Sequence, residues 1–229
     1  MSSRAPERTS RGKKTVIASC CAAAAVIIAA AAVIFFSVIN GDGKKYDAAH
    51  FGLTDYKSSL DADGDGIDDV TDFLQNVKAY LDRKPEYKSA YYAGGYPDDG
   101  YGVCTDVVAF GLLDAGYDLR ELIDADRREH PENYDPDEPI DKNIDYRRVR
   151  NLLAYLKTHA TEITADLSDI GEWQPGDIVI WDGHVGVLSE NRTRRGWPYV
   201  YHHGYEGQTE YQQDVIRVNR KIIGHFRIS

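Results

Sequence analysis

Between Lys14 and Asp42 the chain has no charged side chain, and residues 15–39 are 25 consecutive Ala, Val, Ile, Phe, Ser, Thr and Cys. At about 1.5 Å per helical residue such a run spans roughly 37 Å, enough to cross a hydrocarbon core of about 30 Å with some tilt. The apolar stretch of a cleaved signal peptide is only about 7–15 residues, so the run reads as an uncleaved anchor. Ile17-Ala18-Ser19-Cys20 has the look of a lipoprotein cleavage box but sits at the start of the run rather than its end. Arg4, Arg8, Arg11, Lys13 and Lys14 flank the N-terminal side, and basic flanks stay in the cytoplasm. The expected topology is a single-pass cell-membrane protein, N-terminus cytoplasmic, with all that follows residue 39 extracytoplasmic.

The formal net charge of -10 hides an opposition, +4 over residues 1–14 against -14 over residues 40–229. An acidic domain repels phosphates and lacks a basic footprint, which excludes nucleic acid as a partner. Aromatic residues at 11% of the chain, together with long apolar stripes, exclude intrinsic disorder. The organisation expected is a basic cytoplasmic tail (1–14), a transmembrane helix (15–39), a juxtamembrane linker with few packing signals (40–60) and one domain (61–229). Cys20 and Cys21 fall in the apolar run, so that domain has a single cysteine, Cys104. With no partner for a disulfide in an oxidising compartment, Cys104 is either a packing residue or a reactive thiol.

Within the domain Val70, Phe73, Leu74, Val77 and Leu81 recur at helical spacing and predict a helix over about 69–82. The Gly- and Pro-punctuated stretch 91–102 predicts turns, a second helix should run from near Cys104 to Gly116, and a third from about Arg147 to His159. Residues 130–143 read as an acidic loop. After Pro175 the texture changes: 177–181 and 184–188 flank Asp182-Gly183, a hairpin turn signal. Further short strands are expected at 199–202, 214–218 and 222–228. Helices first and an antiparallel meander after them define an α+β domain.

Cys104 falls where the turn-rich loop becomes a helix, and a helix N-terminus favours a thiolate and offers N–H groups to an oxyanion. His184 opens the second strand of the hairpin and His202 ends the next, so the meander makes them neighbours. That is the arrangement of a nucleophile, a base and a group that orients the base. His203 and His225 are alternatives to His202 as the third member. Asp106 reads as a first-turn helix carboxylate, and Arg147 and Arg148 as ion-pairing groups.

The segment YYAGGYPDDGYGVCTDVV resembles the Tyr-x-x-Gly-Gly…Cys segment of the NlpC-type, papain-like cell-wall cysteine peptidases, and WQPGDIVIWDGHVGVL resembles their Pro-Gly-Asp strand and catalytic histidine. GVCTDVV, NIDYRRVRNL, PGDIV, GHVGV and GHFR together resemble domain-of-unknown-function family 1287, which is grouped with the papain-like folds; the likeness runs over about residues 61–228. It implies helices packed on an antiparallel sheet, with Cys104 as nucleophile, His184 as general base, His202 as orienting residue and Tyr91 as the tyrosine that assists the oxyanion site. The 18 positions between His184 and His202 exceed the spacing usual in those peptidases, with SENRTRRGWP inserted.

Asp61, Asp63, Asp65, Gly66, Asp69 and Asp72 occupy positions 1, 3, 5, 6, 9 and 12 of a calcium-loop register, with the Ile67 carbonyl at position 7. Asp stands at position 12 where a bidentate Glu is usual, and no incoming helix precedes Asp61. A Ca²⁺ here would be structural, and the plain alternative is an acidic turn capping the next helix; catalysis needs no cofactor. The expected activity is a membrane-anchored extracytoplasmic cysteine hydrolase of peptide or amide bonds, with cell-wall peptidoglycan as the substrate that resemblance and location imply. A thioester-forming acyltransferase and a non-catalytic envelope-binding domain are the alternatives.

Overall fold

Asp68 begins the first long helix of the domain, its carboxylate accepting from the Thr71 amide (3.2 Å) and hydroxyl (2.6 Å) as an N-cap does. The computed structural model of the chain describes residues 44–217 and 221–228. The basic tail, the apolar run 15–39 with Cys20 and Cys21, and hence the expected anchor lie outside the described residues. Among the described residues no helix is long and apolar enough to cross a membrane.

Helix α1, Asp69–Asp82, buries Val70, Phe73, Leu74, Val77 and Leu81, the stripe expected from the sequence. Strands β1 (Glu86–Tyr87) and β2 (Tyr101–Gly102) form a short parallel ladder. Helix α2, Cys104–Asp114, follows at once. It lies so close to α1 that a Cβ on Gly111 would stand 2.6 Å from Val77 Cγ2 and 2.7 Å from Phe73 Cε2. Helix α3, Leu119–Glu129, is absent from the sequence-based expectation. Its inward face carries Asp126 and Arg127 beside Leu119 and Ile123, which breaks the apolar stripe. A 3-10 turn at Asp145–Arg147 leads into α4, Val149–His159.

The remaining strands are β3 (Thr161–Glu162), β4 (Ile178–Trp181), β5 (His184–Arg192), β6 (Pro198–Tyr201), β7 (Gln212–Gln213) and β8 (Ile222–Arg227). They form one antiparallel sheet in the order β3-β8-β4-β5-β6-β7. Gly183, at φ 70°, makes the two-residue turn that sets Trp181 opposite His184. Strand β4 is buried on both faces. Ile178 and Ile180 join the helices' core with Val107, Val108 and Leu152, while Val179 and Trp181 pack opposite with Trp173, Val200 and Ile216. Period-2 alternation sends the two sets to opposite faces, and each such side chain contributes about 1.5–3 kcal/mol on burial. Among the described residues the architecture is α+β, with four α-helices and an antiparallel sheet.

Two expectations need correction. No strand occupies 214–217: β7 pairs one step earlier, Gln213 opposite Val200, and Ile216 leaves the sheet plane to enter the second core. Val218 lies outside the described residues. The described part of the expected linker is no free tether either. Tyr46 pairs with Arg192 through backbone bonds of 3.0 and 2.7 Å, Ala48 is buried, and the Tyr56 amide donates to Gln174 Oε1 at 2.8 Å. Backbone bonding fastens this segment, and backbone bonding leaves no hydropathy pattern to read.

Candidate active site

Val103 is extended and α2 starts at Cys104 because Asp106, in the first turn, accepts the Val103 amide at 2.8 Å and so satisfies one orphan donor of the helix start. Asp106 is itself held by Arg147, whose Nε and Nη2 reach its two oxygens at 2.8 Å each. Burial raises the Asp106 carboxyl and the guanidinium opposes that rise. The pair is fully buried, and Thr105 Oγ1 donates to the Arg147 carbonyl at 3.0 Å. These contacts pin the first turn of α2 to the turn before α4, so Asp106 and Arg147 are framework to the thiol.

Cys104 is 8% exposed and packs against the start of β5, where the Val185 amide is directed at its sulfur. Burial pushes the thiol up to about 11, and the amides of Val185, Thr105 and Cys104 itself act the other way. The helix start therefore does not leave a thiolate at rest, as its dipole alone suggested; desolvation is the larger effect. At neutral pH the group is a thiol.

His184 stands one residue before Val185. His184 is half-buried, lies against Trp181 (centroids 5.7 Å apart), and its Nε2 meets His202 Nδ1 at 3.1 Å. His202 Nε2 meets Gln213 Oε1 at 3.2 Å. Gln213 Nε2 donates to the Glu210 carbonyl at 2.9 Å, which fixes the amide so that its oxygen faces His202. An amide oxygen only accepts, so His202 carries its proton on Nε2 and accepts on Nδ1. His184 then donates from Nε2 to His202 Nδ1. Gly204 leaves room for the pair: a Cβ there would meet His202 Nδ1 at 3.2 Å and His184 Cε1 at 3.4 Å.

The structure thus brings His184 and His202 together, one residue from the Val185 amide that acts on Cys104. Tyr91 is 57% exposed, with its hydroxyl 3.4 Å from Asp141 Oδ1. Tyr87 is the tyrosine near Cys104. Burial, then the charge of Cys104, raise its hydroxyl pKa, and its ring meets His203 edge-on at 5.3 Å. His203 is buried between Tyr87 and Tyr211 with neither ring nitrogen bonded among the described residues, and burial followed by the charge of His202 pulls it down to about 4. His225 belongs elsewhere, stacked on Trp173 at 4.1 Å and bonded to Asp177 Oδ2 (2.9 Å) and the Thr164 carbonyl (2.7 Å). Gln213, Val185 and Tyr87 were not readable as site residues. The only signal was their place on elements flanking the histidines.

In the acidic loop, oxygens of Asp61, Asp63 and Asp65 lie within 4.8 Å of one another on the surface. Asp72 faces them: burial, then the charges of Asp65 and Asp63, raise its carboxyl. Asp69 is spent otherwise, accepting the Ala62 amide at 2.7 Å and the Tyr117 hydroxyl. Ile67 donates its amide to Asp65 Oδ1 at 2.8 Å. The oxygens brought together are those of Asp61, Asp63 and Asp65, with the charge of Asp72 near them.

Fold and site together define an α+β domain whose one described cysteine opens a helix beside a two-histidine relay on an antiparallel sheet. The chain belongs to the family described as "Domain of unknown function (DUF1287)", which matches residues 74–228 and so takes in Cys104, His184, His202 and Gln213 while starting after the acidic loop. It is 34% identical over 163 residues to "Uncharacterized protein YijF" of Escherichia coli (strain K12), an overlap that covers 67% of this chain and 77% of that protein. No solved structure gives a significant match.

Proposed function

We propose that the domain is a papain-like cysteine hydrolase of the NlpC type that cleaves a peptide or amide bond. The observation that carries this reading is the relay Gln213–His202–His184, which ends one residue before the Val185 amide that acts on the Cys104 sulfur. In the reaction His184 Nδ1 takes the thiol proton as the sulfur attacks the carbonyl carbon. N–H groups at the start of α2 receive the oxyanion. The imidazolium, stabilised through Nε2–H on His202, returns its proton to the leaving amine. Water then attacks the thioester with His184 again as base, releasing the acid and restoring the thiol. No cofactor takes part, and Asp61, Asp63, Asp65 and Asp72 would hold a Ca²⁺ with a structural role only.

The sequence of residues 1–39 supports an extracytoplasmic domain on a single membrane anchor, which makes peptidoglycan stem peptides the substrate class to test first. Purified full-length protein incubated with soluble peptidoglycan fragments should release new amino groups. Cys104→Ala should abolish release and His184→Ala should reduce it by at least about a hundredfold. Because the thiol is high at rest, alkylation of Cys104 by iodoacetamide should be slow at pH 7 and climb toward pH 11. Full turnover by Cys104→Ala would falsify the reading. Ligation to an added amine in place of hydrolysis would convert it to acyl transfer on the same thioester.

A further inference from the structure

A cleft of about 860 Å³ opens between residues 84–89 and the loop 206–211. Its first wall is built by alternation. Lys84, Glu86 and Lys88 are exposed, whereas Pro85 is buried and Tyr87 half-buried, so three charges of alternating sign line this wall. The opposite wall adds Glu206. Among the described residues no ion pair engages any of these four groups, although Lys88 Nζ lies 4.4 Å from the centre of the Tyr101 ring. Lys84 sits at φ 53°, in the left-handed position just past the end of α1 where glycine is usual.

The cleft is joined to the thiol. Tyr87 lines it and lies within reach of the charge of Cys104. Tyr211 also lines it and ties the two walls by donating to the Pro85 carbonyl at 2.8 Å. The loop wall is bonded to the relay, with Gln208 Nε2 donating to the His202 carbonyl at 2.9 Å.

We infer that this cleft is the substrate subsite, and that it takes a zwitterionic peptide end, a segment carrying both a free ammonium and a free carboxylate. The inference rests on the cysteine-hydrolase reading for its link to a reaction. Two cations and two anions in one open cleft can meet both charges of such a ligand, whereas a ligand of single charge leaves one pair of wall charges facing repulsion.

The test separates binding from turnover by using full-length Cys104→Ala, which cannot form a thioester. Tri-alanine is the probe, compared with its N-acetylated and its C-amidated forms, with affinities read by ligand-observed NMR at low salt. The free peptide should bind at least about tenfold more tightly than either capped form, and the gap should narrow as salt screens the charges. Lys84→Ala with Lys88→Ala should bring the free peptide to the level of the amidated one. Glu86→Gln with Glu206→Gln should bring it to the level of the acetylated one. All four side chains are exposed, so an unchanged melting temperature is the control for folding. Equal binding of the three peptides, or no binding of any, overturns the inference. A charge-selective cleft in a protein whose wild type and Cys104→Ala variant are equally inactive would instead sink the hydrolase reading and leave the subsite standing.

Discussion

Gln213 stands at the far end of the contacts that orient His184. Its amide oxygen is locked toward His202 because its NH₂ is engaged by the Glu210 carbonyl, and each proton along the relay follows from that one orientation. Gln213→Leu keeps the bulk and removes the acceptor, freeing His202 to take the other tautomer and turn its donor on His184. The expected cost is about tenfold or more in kcat with KM nearly unchanged, since the residue orients the base and does not touch substrate. Gln213→Glu retains an acceptor at the same place and should recover most of the loss. A merely structural glutamine would show no such recovery and no separation of kcat from KM. Cys104 and His184 were legible from the sequence because a thiol at a loop-to-helix junction and a histidine at a hairpin turn have local signatures. Gln213 was not: a glutamine on a two-residue edge strand has none, and its role exists only once β7 lies beside β6.

At the scale of elements, legibility followed apolar periodicity. Helix α1 and the β4–β5 hairpin were readable because apolar side chains recur on their buried faces at the helical and the strand period. Helix α3 was not, because its buried face is half ionic. Arg127 Nη1 lies 2.5 Å from Asp145 Oδ2, and Asp126 receives the Tyr134 hydroxyl and His159 Nε2. Such contacts can only be paired after the chain has folded. The acidic loop is the reverse case, a clear register whose occupant the fold must supply. Its carboxylates already accept backbone amides, Asp61 from Gly64, Asp65 and Gly66 and Asp63 from Asp65, and Asp72 adds a further charge from α1. Millimolar Ca²⁺ should therefore raise the melting temperature of the full-length protein by binding the folded state. Asp61→Ala with Asp63→Ala should remove that increment, and Asp69→Ala should lower stability with or without calcium, since it serves Ala62 and Tyr117. A melting temperature indifferent to calcium would leave the loop as the N-terminal cap of α1.

At the scale of the whole molecule, the boundary of the folded unit lies at residue 45, ahead of the boundary suggested by side-chain pattern. Arg192 shows why. It is fully buried on β5, where its guanidinium donates to the carbonyls of Ile170 (3.0 Å), Gly196 (2.8 Å) and Trp173 (2.6 Å). Burial lowers its pKa, and Asp55 and Asp177 are the carboxylates whose charges oppose that. The segment 45–60 supplies Asp55, the Tyr46 backbone pairing to Arg192, the Tyr56 ring 4.8 Å from the Arg227 guanidinium, and the Ser58 amide on the Asp68 cap at 3.1 Å. A fragment that begins at residue 61 would keep all the candidate site residues yet uncover a buried cation and leave the edge of β5 unpaired at Arg192. Losing two backbone bonds and part of that compensation should cost about 2–3 kcal/mol, which for a domain of this size is a fall in melting temperature of roughly 5–10 °C. A fragment of residues 45–229 should melt where the domain of the full chain melts. The same temperature for both fragments would return residues 45–60 to the part of a tether. A lower temperature for the shorter one, recovered by adding back only residues 45–60, assigns to this segment the closing of the sheet behind Arg192.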